Sequence, residues 1–157
     1  MDNRNYEIIR ASLEDMEAVR NITHTTIRAV YPKYYPQGAV DFFSAHHSDD
    51  KIASDISAGY VYILKTEGSY AGTVTISENH INRLFVLPEY QGKGFGRALM
   101  DLSEDTIFRS YDRVELDASL PAKRIYIKRG YKETEYNIID TPDGDHLCYD
   151  VMAKERG

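Results

Sequence analysis

Cysteine is nearly absent. Cys148 stands alone among 157 residues, which excludes an intrachain disulfide and a cysteine-built zinc cage. Long apolar runs are missing too, none nearing the roughly 20 residues that a membrane helix needs. The first residues, Met1-Asp2-Asn3-Arg4-Asn5, lack the basic start and apolar core of a secretory signal. No repeat, low-complexity tract or composition shift marks a linker, so residues 1–157 read as one domain. Positive charge is in deficit, 19 Lys and Arg against 25 Asp and Glu for a net charge of −6. That balance argues against general nucleic-acid binding. A soluble cytoplasmic domain without nucleic-acid or membrane partners is the expectation.

What positive charge there is, the chain concentrates. Residues 93–132 hold nine Lys and Arg against six Asp and Glu, while the segments before and after are acidic. A phosphate-bearing small ligand would suit that block, and the acidic surroundings would attract a cationic partner.

Tyr6 to Arg10 predicts a first strand. Ser12 and Asp15 form a capping pair that opens a helix over 12–29, carried by Leu13, Met16, Val19, Ile22 and Ile27. Tyr31-Pro32 ends it. Val40 and Phe43 mark a short helix, and Ser48 caps another carrying Ile52 and Ile56. Strands then follow at Tyr60–Leu64, Ala71–Ile76 and Ile81–Val86, separated by Glu67-Gly68-Ser69 and Glu78-Asn79. A helix through Ala98, Leu99, Leu102 and Ile107, a strand at Arg113–Asp117, a helix at Ala122–Arg129 closed by Gly130, and two last strands complete the chain. The fold class is α/β (α+β): one mixed, mostly antiparallel sheet flanked by helices, in the order β-α-α-β-β-β-α-β-α-β-β.

The stretch from Leu84 to Arg97 reads strand, proline turn, glycine-rich loop, helix. Gly92, Gly94 and Gly96 let the backbone approach a ligand where the incoming helix presents unpartnered N–H groups, with Lys93 and Arg97 adding charge. The pattern is an anion cradle for a phosphate or pyrophosphate, the alternative being simple tight packing. No Gly-Lys-Ser/Thr completes a Walker A loop, and the third glycine comes one residue early for a dinucleotide fingerprint. His24, His46, His47, His80 and His146 show no zinc-protease spacing, so no metal is expected.

Gln91-x-x-Gly94-x-Gly96, preceded by Leu84-Phe85-Val86-x-Pro88 and followed by Arg97-Ala98-Leu99, resembles the acyl-CoA loop of the GNAT superfamily of N-acetyltransferases. Ala122-x-x-Ile125-Tyr126-x-x-x-Gly130-Tyr131 is similar to that family's later helix. With the matching element order, the resemblance covers roughly residues 5–152 and implies the acyl-CoA N-acyltransferase fold. It implies that acetyl-CoA, as co-substrate, lays its pyrophosphate on Gln91, Gly92, Lys93, Gly94, Phe95, Gly96 and Arg97. The pantetheine arm would run along Phe85 and Val86, the Val86 N–H facing the acyl oxygen as an oxyanion donor. Arg129, with its neighbours Lys123, Arg124 and Lys128, would meet the phosphates. Tyr126 matches the position of the acid that protonates the leaving thiolate, and a core tyrosine is its plainer reading. The family's acidic position before the strand falls near His80, with Glu78 two residues earlier, and either would serve as base. The usual asparagine after the preceding strand is missing, and Ser119 stands in its place within Asp117-Ala-Ser-Leu-Pro-Ala122.

On the acceptor side, Tyr31, Tyr34 and Tyr35 are candidate pocket residues, since aromatic faces suit an ammonium group, while Phe42 and Phe43 read as a hydrophobic cap. Cys148 reads as a small buried apolar group. The expectation is an acetyl-CoA-dependent N-acetyltransferase moving acetyl directly to a primary amine of a small molecule, as a monomer or a homodimer. The alternatives are a catalytically silent acyl-CoA-binding module and an acetyltransferase acting on a protein lysine or N-terminus.

Overall fold

Residues 5–157 are described by a computed structural model. Its strands are β1 (Tyr6–Arg10), β2 (Val61–Thr66), β3 (Ser69–Ser77), β4 (His80–Val86), β5 (Arg113–Ala118), β6 (Lys132–Asp140) and β7 (His146–Glu155). The helices are α1 (Met16–Val30), α2 (Gln37–His46), α3 (Asp49–Ser57), α4 (Phe95–Phe108) and α5 (Leu120–Lys128). One sheet runs β1-β2-β3-β4-β5-β7-β6. Among the described residues its only parallel pair is β4 with β5, so the architecture is the mixed, mostly antiparallel sheet expected. The first third holds three helices where the element order counts two, because α2 and α3 are separate short helices parted at His47-Ser48.

Local chemistry explains the joints. The Ser12 amide donates to the Asp15 carboxylate at 2.9 Å, the reciprocal half of a capping box. The Ser48 hydroxyl accepts from the Lys51 amide at 3.3 Å and opens α3. Glu67 and Gly68, at φ 50° and 80°, make the tight left-handed turn that matches the twist of β2 and β3.

Alternation along the strands sends side chains to two cores. On one face α4 and α5 bury Leu99, Met100, Ile107 and Tyr126 against Leu64, Val74, Leu116 and Met152. On the other, α1 and α2 bury Ile22 and Ile27 with Phe85 and Leu147, and α3 buries Ile52 and Ile56 near Val61 and Ile63. Among the described residues, no helix is long and apolar enough to cross a membrane.

Candidate active site

The glycine loop sits between the end of β4 and the start of α4. Gly94 is the N-cap of α4 at φ 86°, a left-handed conformation open to glycine at little cost. The first helical bond runs from the Ala98 amide to the Gly94 carbonyl at 3.0 Å. The Gln91 amide is already taken by the Pro88 carbonyl at 3.2 Å. Among the described residues, the amides from Gly92 to Arg97 meet no backbone acceptor. A Cβ placed on Gly92 or Gly94 would meet nothing within 4 Å, so the space before them is open. Gly96 differs. Its Cβ position lies 3.9 Å from Val86 Cγ2, which places the helix against the strand. Lys93 and Arg97 are exposed, with the Lys93 ammonium 5.6 Å from the Tyr90 ring centre. A fan of free amides at a helix start, flanked by two cations, fits a diphosphate.

Beside the loop the sheet opens. β4 and β5 pair only at His80–Glu115 and Ile81–Leu116, although both strands continue beyond. The Leu87 amide donates to Ala71 of β3 at 2.9 Å, so by alternation Phe85 also bonds β3 while Val86 turns to the opened edge. The Val86 carbonyl accordingly accepts from Gln91 Nε2 at 2.9 Å and from Thr26 Oγ1 at 3.4 Å. The Phe85 ring instead enters the α1–α2 core. An extended arm can therefore add along the Val86 edge as a strand would.

Tyr126 lies on the buried face of α5, its ring 5.8 Å from that of Tyr131. Burial raises its phenol well above the ordinary range, and the neighbouring Tyr31 phenol adds to this, so its proton is held at neutral pH. Tyr31 is itself buried, 4.8 Å from the Phe43 ring and 6.2 Å from Phe85. Burial raises the Tyr31 phenol, and a hydrogen bond with Ser119 works against that. Ser119 thus stands at the N-cap position of α5 with its side chain bonded to Tyr31 rather than to a helix amide. The Tyr35 hydroxyl accepts the Leu120 amide at 2.7 Å and donates to the Cys148 carbonyl at 3.1 Å. Burial pushes that phenol up to about 12. Tyr34 is half exposed and stands outside this cluster.

The remaining candidates separate. His80 opens β4 where β4 and β5 still pair, its Nε2 3.9 Å from Asp117 Oδ1. Glu78 lies in the β3–β4 turn at φ 54°. Arg129 is engaged by Glu104 at 2.8 Å and Asp101 at 2.7 Å, and Lys123 by Asp150 at 3.0 Å and Glu133 at 3.1 Å. Both cations are held by carboxylates, while Arg124 and Lys128 are exposed on α5. Cys148 is half-buried. Among the described residues, no group of three or more His, Cys, Asp or Glu could hold a metal ion.

Two charged clusters were not foreseen. Buried Arg83 reaches Asp55, Thr75 and His47, and buried Glu104 reaches Arg129, Lys154 and Tyr131. A charged residue at an inward-facing position of a strand or on the apolar stripe of a helix is the signal that marks each.

An acetyltransferase (GNAT) domain model matches residues 30–141. No curated protein matches the chain. Among solved structures, a GCN5-related N-acetyltransferase from Rhodopseudomonas palustris is 24% identical with a TM-score of 0.88, covering 99% of this chain and 98% of that one. The PaiA N-acetyltransferase of Thermoplasma acidophilum, solved in complex with coenzyme A, is 19% identical with a TM-score of 0.71, covering 97% and 99%. YncA of Salmonella typhimurium, solved with its cofactor acetyl-CoA, is 17% identical with a TM-score of 0.73, covering 98% and 95%. At these identities the structures establish the fold, and the domain match, across more than half of the chain, establishes kinship. The free-amide loop, the opened sheet and the buried phenol thus belong to an acyltransferase, and the chain is a member of the GNAT acetyltransferase family.

Proposed function

We propose that the chain transfers acetyl from acetyl-CoA directly to a primary amine of a small molecule. The observation that carries this reading is the fan of amides from Gly92 to Arg97 beside the open Val86 edge. The amides, with Lys93 and Arg97, would hold the diphosphate, and the Val86 edge would hold the arm in extended form. Acetyl-CoA supplies an activated thioester at the end of that arm. The Val86 N–H then points to where the acyl oxygen gathers charge.

The attacking amine must first lose a proton, because a free alkylammonium has a pKa of about 10.4. His80, its Nε2 3.9 Å from Asp117 Oδ1, would take that proton through intervening water, since it stands six residues along β4 from Val86, and Glu78 is the second candidate. The amine nitrogen bonds to the acyl carbon as the carbon–sulfur bond breaks. Tyr126 gives its proton to the departing sulfur, which burial keeps on the phenol until then.

Two features favour a small cationic acceptor. Tyr31, Tyr35 and Phe43 pack with ring centres 4.8 to 5.8 Å apart, an aromatic cluster whose faces suit an ammonium group. Asp117 and Glu135 both act on Tyr149 and place negative charge on the same side. Thiol release from acetyl-CoA over a panel of polyamines, amino acids, aminoglycosides and lysine peptides tests the proposal. Turnover with a small amine supports it, turnover with peptides alone moves the acceptor to a protein, and no turnover with any of them overturns it.

A further inference from the structure

Arg83 is a cation in the middle of β4, with only 6% of its surface exposed. Its backbone is left-handed at φ 48°, a conformation that costs a long L side chain energy and persists only when neighbours hold it. Three neighbours hold it. Nη2 donates to Asp55 of α3 at 3.0 Å, Nη1 to the Thr75 hydroxyl of β3 at 3.0 Å, and Nε to His47 Nδ1 at 3.3 Å. Burial, followed by the Arg83 charge, lowers His47 to about 3, so its ring is neutral and can accept that bond. All three arms of the guanidinium are therefore engaged.

The same residue sits where the β3–β4 ladder changes register. Thr75 faces Asn82, but Thr73 faces Phe85, so β4 carries one residue more than β3 across this step. The extra residue makes a bulge. Continued without it, the register would set Thr73 against Leu84 and Gly72 against Phe85. Because side chains and amides alternate with a period of two, every residue after the bulge would then exchange faces. Phe85 would turn its amide to the opened edge and its ring toward α4. Val86 would bond β3 and lose the edge on which acyl-oxygen stabilisation depends.

We propose that Arg83 is a positioning residue for acetyl transfer: clamped to Asp55, Thr75 and His47, it fixes the β4 bulge that turns the Val86 amide into the cleft. This rests on the acetyl-transfer reading for its catalytic consequence, and on the register of β4 alone for its structural one.

The test compares variants in a background where the buried acid is neutral. D55N/R83N replaces the clamp with a residue that tolerates the left-handed region, and D55N/R83L with one that does not. Expected for D55N/R83L is a loss of kcat on the order of tenfold to a hundredfold, from a displaced amide, with a smaller rise in the Kd for coenzyme A, because the glycine loop keeps its residues while the arm loses the Val86 edge. D55N/R83N is expected to recover most of that loss. Cross-strand NOEs read the register without any activity: Thr73 with Phe85 and Gly72 with Val86 are expected in the wild type and D55N/R83N, and Thr73 with Leu84 in D55N/R83L. Wild-type register and equal kcat in both double variants would overturn the proposal. A wild type that transfers no acetyl would sink the acetyl-transfer reading instead, and the NOEs would still decide the role of Arg83. Should D55N/R83L fail to fold, T75V, which removes one acceptor and keeps the charge pair, is expected to lower kcat in the same direction by less, and unchanged kcat and register there would equally overturn the proposal.

Discussion

The Tyr35 hydroxyl stands 2.7 Å from the amide of Leu120, the first residue of the helix that carries Tyr126. A side chain from the turn after α1 thus satisfies one of the free amides of α5 and ties the two halves of the molecule across the opened sheet. Its second bond, to the Cys148 carbonyl, fastens the same point to β7.

Removing this hydroxyl is expected to loosen α5. Tyr35→Phe keeps the ring in its aromatic cluster but leaves a buried amide without an acceptor, for a loss of about 1–3 kcal/mol. Thermal melting checks it, with a drop in Tm of several degrees expected. Amide exchange should show the loss concentrated at the start of α5.

Tyr126→Phe addresses the chemistry. Loss of a general acid lowers kcat by about 10²–10⁴-fold, with the affinity for coenzyme A unchanged. A module that only stores acyl-CoA would show no change. Because burial and Tyr31 raise the Tyr126 phenol, the acid form persists through the alkaline range. The rate in the wild type should therefore not fall through loss of this proton as pH rises to about 9.

The Glu104 carboxylate makes a stability prediction with a sign. Burial would raise it, but hydrogen bonds from Arg129, Lys154 and Tyr131 outweigh burial and hold it below the ordinary glutamate range. A depressed folded-state pKa contributes stability that is present above the unfolded value and lost as pH falls through the folded one. Glu104→Gln is expected to cost about 3 kcal/mol near neutrality, since Arg129 and Lys154 lose their buried partner. Denaturation across pH 7 to 3 should show the gap between wild type and variant narrowing below the glutamate range.

Much of this could be read from the sequence, and what could not has a common cause. The glycine loop, the Tyr126 helix and the order of elements along the chain are encoded in contiguous residues, so the sequence exposes them. Arg129 and Lys123 looked free on one face of a helix, yet their partners Glu104 and Asp150 lie 25 and 27 residues away along the chain. The Arg83 clamp is likewise non-local, joining β4 to α3 and β3. The short β4–β5 ladder leaves no trace in either strand's pattern, because both strands continue past it. The Tyr35 and Ser119 contacts depend on the turn after α1 meeting the start of α5, which neither segment announces alone.

The loop can be tested by a matched pair of glycines. Gly94 at φ 86° and Gly68 at φ 80° each lie in the left-handed region with no atom within 4 Å of an added Cβ. Alanine at either costs about 1–2 kcal/mol of backbone strain. Gly94→Ala is expected to weaken coenzyme A binding by about tenfold, as the amide fan shifts, whereas Gly68→Ala, in the β2–β3 turn, should leave it unchanged. Isothermal titration of both variants makes the comparison.

The central claim is that the amides from Gly92 to Arg97 receive the diphosphate and lead its arm along Val86. Titrating coenzyme A into the ¹⁵N-labelled chain while following every backbone amide reads this directly. Saturable shifts concentrated on Gly92, Lys93, Gly94, Phe95, Gly96 and Arg97, with a second set at Val86, are the expected result. Saturable shifts centred elsewhere, or none at all, would contradict it.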